Sequence, residues 1–312
     1  MSTATSDRAP VGNVPSGPHR LSAAEWIDAL KRTAKQFMAD DCMGLAQQVA
    51  YSSLLAFFPA IVLLVGLLGL VGAYDELQDF LNPVAPQAVT DLIEQLQKDS
   101  SGGGSAVAVV VGAFGAVWAA SGAMGSVVKA VNRAYDRTET RPFWRMRLIS
   151  IVLVAASGIV TAGMLLLIVL GGKLGEAIAR QARLGSAFEW IWNIFRWPLA
   201  FVAVLLLFAL IYYLAPNKEQ RSWEWVTPGS LVGGAMWIAL SGLFALYTAF
   251  SSSYSRTYGT LAGGIILLLW LNYTAWAILF GAELNAELDR QADIRAAGGP
   301  NAGLIKPAKR TT

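Results

Sequence analysis

Residues 42–74 read CMGLAQQVAYSSLLAFFPAIVLLVGLLGLVGAY, 33 residues between Asp41 and Asp75 that contain no Asp, Glu, Lys or Arg. A helix crossing the hydrocarbon core of a bilayer needs about 20 predominantly apolar residues, and this stretch exceeds that. Five further charge-free stretches follow at 100–128, 148–172, 197–217, 225–255 and 257–282, the shortest of them 21 residues long. Charged residues make up 14% of the chain, well below the roughly 25% typical of a soluble domain. The buried helices of a large soluble protein are usually shorter and keep a polar stripe. The pattern predicts an all-α, polytopic membrane protein with six transmembrane helices.

The 24 Lys and Arg residues orient it. Connections that stay in the cytoplasm carry the excess of basic side chains. Eighteen lie in the N-terminal segment, the second and fourth connections and the C-terminal tail, among them Arg32, Arg133, Arg147, Lys218 and Arg290. The other six are Lys98, Lys173, Arg180, Arg183, Arg196 and Arg256. Both termini are therefore expected inside. The same distribution argues against nucleic acid as a partner despite a net charge of +3, because the basic residues follow the span ends and form no single patch. One cysteine, Cys42, excludes an internal disulfide and a cysteine-based metal cluster. The expected organisation is a disordered Pro-, Gly- and Ser-rich tail over 1–20, one six-helix membrane domain over 21–290, and a second disordered tail over 291–312.

Amphipathic helices flank the spans. Ser22 and Glu25 form a capping box ahead of a helix with Trp26, Ile27, Leu30, Ala34, Phe37 and Met38 on one face. Such a helix lies on the inner membrane surface or packs under the bundle as a cap, and the pattern leaves both open. Val89, Leu92, Ile93 and Leu96 predict an external helix ahead of the Ser-Gly linker at 101–105. A second is expected over 172–196, with Trp190, Trp192 and Trp197 in the aromatic belt at the membrane surface. Pro59 frees the Leu55 carbonyl and predicts a kink in the first span. Gly229 with Gly233, and Gly259 with Gly263, are spaced for close helix packing, which implies no particular activity.

Several segments resemble the BrkB/YihY inner-membrane family, once mislabelled ribonuclease BN. They are Tyr51 to Pro59, Trp118 to Ala123, Asn132-Arg133-Ala134-Tyr135, and Tyr213-Leu214-Ala215-Pro216-Asn217 followed by Pro228-Gly229. Tyr254, Tyr258-Gly259, Leu269-Trp270-Leu271 and Gly281-Ala282-Glu283-Leu284-Asn285 complete the series, in order, over roughly residues 25–290. Ser52 stands where the family pattern commonly has a second Tyr. The resemblance implies a bacterial cytoplasmic-membrane protein with six spans and a virulence-associated role in the envelope, including the handling of envelope lipids. It supplies no reaction or substrate.

A hydrolase needs a general base, a metal site or an activated nucleophile. The only histidine is His19, in the N-terminal tail, and no catalytic, metal-binding or cofactor-binding constellation emerges. Polar groups at membrane depth are the better pointers. Lys129, Asn132 and Arg133 end the second span, Glu283 and Glu287 end the sixth, and Asn272 interrupts it. They line a polar path or hold an anionic headgroup, or else cap and join helices. Lys129 with Arg133, and Glu283 with Glu287, each stack two like charges on one helical face, which suggests a clasp between the two pairs. The expected function is transport or translocation of a lipid or other envelope component, without enzymatic activity. Membrane lipids and envelope-assembly proteins are the expected partners. The alternatives are a non-transporting assembly scaffold and, behind it, a membrane enzyme. The oligomeric state is not legible.

Overall fold

The computed structural model describes residues 23–71, 105–165, 167, 180–181, 185–218, 226–250 and 261–296. Seven long helices make up nearly all of this: α1 (Ala23–Ala39), α2 (Cys42–Val71), α3 (Ser105–Ala134), α4 (Phe143–Leu165), α5 (Gly185–Leu214), α6 (Pro228–Phe250) and α7 (Leu261–Ala296). No strand occurs among the described residues. The five helices α3 to α7 are long and apolar enough to cross a membrane. The fifth charge-free stretch corresponds to α6 and the sixth to most of α7. The opening stretch corresponds to α2, which is 30 residues long and continues as a helix through Pro59.

Burial shows what surrounds them. Only 11% of the apolar window of α4 is covered by protein, and Phe143, Trp144, Leu148, Ile151 and Ile159 all face outward. A helix apolar on every side with so little of it covered belongs in lipid, because water would leave a contiguous apolar surface far larger than a soluble monomer tolerates. The chain is a polytopic α-helical membrane protein.

Helices adjacent in sequence pack side by side from α2 to α7, and α7 returns against α2 and α3 to close the ring. The core lies among α2, α3, α4, α5 and α7, where Val128, Val131, Leu153, Phe208 and Leu279 are buried with small residues such as Ala46, Ala130 and Ala282. One end of the bundle gathers the start of α2, the end of α3, the start of α4, the end of α5, the start of α6 and the end of α7. We call it the hub end.

Two aspartates make the joints there. Asp41 (φ 52°) closes α1 in the left-handed region, and its side chain then accepts a hydrogen bond from the Gly44 amide at the start of α2. Asp136 (φ 51°) closes α3 in the same way, with the Arg137 amide returning to the Asn132 carbonyl at 2.8 Å. Aspartate reaches this conformation more easily than most L-residues because its short side chain bonds locally.

Several expectations need correction. Helix α1 packs against α7 and α2 through Ala29, Thr33, Phe37 and Asp40, a stripe rotated from the predicted apolar face. Ile27 and Met38 remain exposed, so α1 is a cap under the bundle that still shows apolar surface. Residues 185–196 are no separate external helix: they are the first turns of α5, which runs unbroken to Leu214. Likewise α7 continues to Ala296, so 291–296 are helical and not tail. The external helix expected near Val89, the N-terminal tail with His19, and Gly259 lie outside the described residues.

Candidate functional site

The hub end holds most of the polar chemistry predicted for the chain, arranged in three connected groups. In the first, Arg141 on the α3–α4 connection grips Glu139 with Nε at 2.7 Å and Nη2 at 2.6 Å. The same guanidinium donates to the carbonyls of Leu214 and Ala215 at the end of α5. Asn132 donates to Glu139 at 2.8 Å and accepts from the Asn217 amide at 2.7 Å. Asn217 in turn donates to the Thr138 carbonyl and the Thr140 hydroxyl. This knot ties the α3–α4 connection to the end of α5. The hydrogen bonds from Arg141 are the main reason the Glu139 carboxyl is held below its ordinary range.

The second group caps α6. Thr227 and Ser230 exchange side-chain to backbone hydrogen bonds across the first turn, a capping box with Pro228 at the first helical position. Asn285 of α7 accepts from the Gly229 amide at 2.8 Å and donates to the Thr227 hydroxyl. Such a contact requires the two backbones to be close, and glycine permits it. A Cβ at Gly229 would collide with the Gly281 carbonyl oxygen, and one at Gly281 with the Gly229 oxygen and the Tyr212 hydroxyl. At Gly233 a Cβ would stand 2.8 Å from the Ala277 oxygen. Tyr212 of α5 completes the contact, donating to the Ile278 carbonyl at 2.8 Å.

The third group is ionic. Glu283 is buried and accepts a hydrogen bond from the Cys42 thiol at 3.4 Å. Glu287 pairs with Arg32 of α1 and with Arg290 one turn on, both at 2.9 Å. Arg290 also reaches Asp136 at 2.7 Å, and Arg133 lies 3.8 Å from Asp40. Lys218 pairs with Asp289 and sits over the Tyr135 ring. The direct clasp between the basic and acidic pairs therefore does not form: α1 supplies Arg32 to Glu287, and Asp40, just after α1, faces Arg133. Lys129 is exposed and has no ion pair among the described residues.

Of the remaining candidates, Asn272 sits apart from the hub, within the apolar window of α7. Its Oδ1 is buried without a hydrogen-bond partner among the described residues, as is Nε1 of Trp276 one turn away. Gly263 falls in the first turn of α7. Sequence reasoning passed over Asp40, Arg32, Glu139, Arg141 and Asn285 as chemical participants. Asn217 and Asn285 had been noted only within family motifs, and nothing in their spacing announces a partner 85 or 56 residues away. Among the described residues no group of three His, Cys, Asp or Glu side chains is placed to hold a metal ion.

Over residues 33–305 the chain matches the family described as Virulence factor BrkB. It is 29% identical over 263 residues to a ribonuclease-like protein, YfkH, of Bacillus subtilis (strain 168), covering 84% of this chain and 95% of that one. It is 27% identical to a UPF0761 membrane protein of Rhodospirillum centenum, covering 87% of this chain and 59% of that one. A UPF0761 membrane protein of Chromohalobacter salexigens is 28% identical, with 86% and 66% covered. The chain thus spans nearly all of the Bacillus protein but about three fifths to two thirds of these two longer relatives. No solved structure matches it.

Proposed function

The chain belongs to the BrkB family, and from that premise we propose that it moves a lipid or another envelope component across the bacterial cytoplasmic membrane. In this reading α2 is the first of six spans, and the excess of basic residues supports a hub end and termini on the cytoplasmic side. The observation that carries the reading is the pair Asn272 and Trp276. An acceptor and a donor lie one turn apart inside an apolar span, both buried and both without a partner among the described residues. Hydrocarbon offers no water to satisfy such groups, and a helix that served only as a support would be more stable with apolar residues there. A polar ligand passing along α7 would satisfy both. The ribonuclease-like name belongs to the Bacillus relative, and we assign this chain no enzymatic step.

The test is movement of fluorescent phospholipid, and separately of small solutes, in vesicles reconstituted with the full chain. Wild-type protein should move one of them. Replacing Asn272→Leu together with Trp276→Phe should leave thermal stability equal or higher while slowing movement about tenfold, the equivalent of one or two lost hydrogen bonds. A wild-type protein that moves neither probe overturns the proposal and leaves the scaffold reading in its place.

A further inference from the structure

A cation that the hub does not use lies on the α3–α4 face. Arg147, grouped by sequence with the loop residues, is one turn inside α4. Its guanidinium lies over the Trp118 ring, 3.8 Å from the centroid, and its Nη2 donates to the Trp118 carbonyl at 2.7 Å. Trp118 is 16 residues before the end of α3 at Ala134, about 24 Å along the helix. Both residues fall inside the apolar windows of their helices, Ala113–Ala134 and Phe143–Met164.

A charge in such a place is expensive unless something pairs with it. Across α2, α3, α4 and α5 the only acidic residue is Glu189. It lies 25 residues before the end of α5 that Arg141 binds, about 37 Å along the helix. Glu139, on the adjoining connection, is already engaged by Arg141 and Asn132. The Trp118 carbonyl is shared with the Ser121 hydroxyl, which donates to it at 2.9 Å. The Nε of Arg147 is shielded and has no hydrogen-bond partner among the described residues.

The surroundings are open on the lipid side. Trp118 is 48% exposed and Trp144 74% exposed. A Cβ at Gly122 would meet only Arg147 Nη1, at 3.6 Å, and one at Gly115 would meet nothing within 4 Å among the described residues. Two glycines thus leave room along α3 beside a cation that has no counter-charge among the described residues.

We infer that Arg147 and Trp118 form a site for the phosphate of an anionic phospholipid headgroup, reached laterally from the bilayer. A guanidinium offers a planar fork of donors that matches phosphate oxygens and stays charged at any working pH. The half-exposed Trp118 indole leaves the site open to the lipid side. The inference deepens the proposed function by naming an anionic phospholipid as the substrate class, and in that respect it rests on that reading; binding itself does not.

The experiment is native mass spectrometry of the purified full chain, titrated with phosphatidylglycerol or phosphatidylcholine. Wild-type protein should retain phosphatidylglycerol preferentially. Arg147→Gln should weaken that retention about tenfold through loss of a charge-assisted contact, and Arg147→Lys, which keeps the charge but not the fork, should weaken it less. Absence of a preference in the wild type overturns the site, as does unchanged retention in both variants. If Arg147→Gln does not fold, the wild-type preference and the Arg147→Lys titration still decide. Inorganic phosphate should fail to displace the lipid; displacement would overturn the lipid assignment in favour of free phosphate. Vesicle movement separates the two claims. A wild type that binds phosphatidylglycerol without moving it removes the transport reading and keeps the site. Movement with no preference for phosphatidylglycerol removes the site and keeps the transport reading.

Discussion

Helices α6 and α7 touch along their length in two different ways. At the hub end the contact is backbone on backbone, with Gly229 against Gly281 and Gly233 against Ala277, and Asn285 bonded into the first turn of α6. Farther along, large rings stand between the same two helices. Trp237 meets Trp270 edge-on and donates to the Thr274 hydroxyl, Trp270 donates to Ser241, and Phe244 meets Tyr273. Small residues let helices close where lipid provides no hydrophobic drive, whereas indole and phenyl rings hold them apart. The pair is a wedge, locked at the hub and filled with side chains elsewhere. Its locked half is specified by backbone shape and hydrogen bonds, which tolerate little change; its filled half rests on packing that can rearrange.

The largest expected effect breaks the lock. Gly281→Ala would drive a methyl group into the Gly229 oxygen and the Tyr212 hydroxyl, and we expect a loss of about 3 kcal/mol, the upper range for overpacking, measured by unfolding in detergent. Wild-type stability in this variant would mean that the helices separate without cost and that the lock is not one.

A middling effect belongs to the neighbouring knot. Glu139→Gln removes the carboxylate that the largely buried Arg141 grips and should cost about 2 kcal/mol at neutral pH. The folded carboxyl is held below its ordinary value of 4.5, chiefly by the hydrogen bonds from Arg141. Its contribution is therefore complete above that value and is lost as pH falls through the folded value. The difference in melting temperature between wild type and variant should stay constant from neutral pH down to about 4.5 and then shrink. A gap that instead narrowed as pH rose would contradict the pairing.

The smallest effect checks the other half of the comparison. A Cβ at Gly242 of α6 would meet nothing within 4 Å among the described residues. Gly242→Ala should change stability by no more than about 0.5 kcal/mol, as substitutions away from packed features do. A loss as large as that of Gly281→Ala would show that glycine count, and not contact, governs the wedge.

Much of the membrane architecture was legible because it depends on composition along one dimension. Charge-free runs longer than about 20 residues announce spans whatever they pack against, and Gly229 and Gly233 were recognisable as a close-packing pair from their spacing alone. The site was only partly legible. Asn132, Glu283 and Glu287 could be singled out because polar groups beside apolar runs are rare, but their partners could not. The clasp between Lys129/Arg133 and Glu283/Glu287 failed because it drew on the span ends alone, while α1 brought Arg32 and Asp40 into the same space. Arg147 was misplaced for a related reason: its charge made it look like loop, although α4 begins four residues earlier.

The sequence by itself determined that the chain is a helical membrane protein and where most of its apolar helices run, since transfer of apolar side chains into lipid acts residue by residue along the chain. Only the tertiary structure decided which polar groups meet. The ring brings helix ends 56 to 241 residues apart into hydrogen-bond range, and a hydrogen bond or ion pair exists only within a few ångströms. It also decided which groups are left over. Arg147, Asn272 and Trp276 become candidates because the packing around them supplies no partner for Arg147 Nε, Asn272 Oδ1 or Trp276 Nε1 among the described residues, a property of the surroundings that no local pattern of residues encodes.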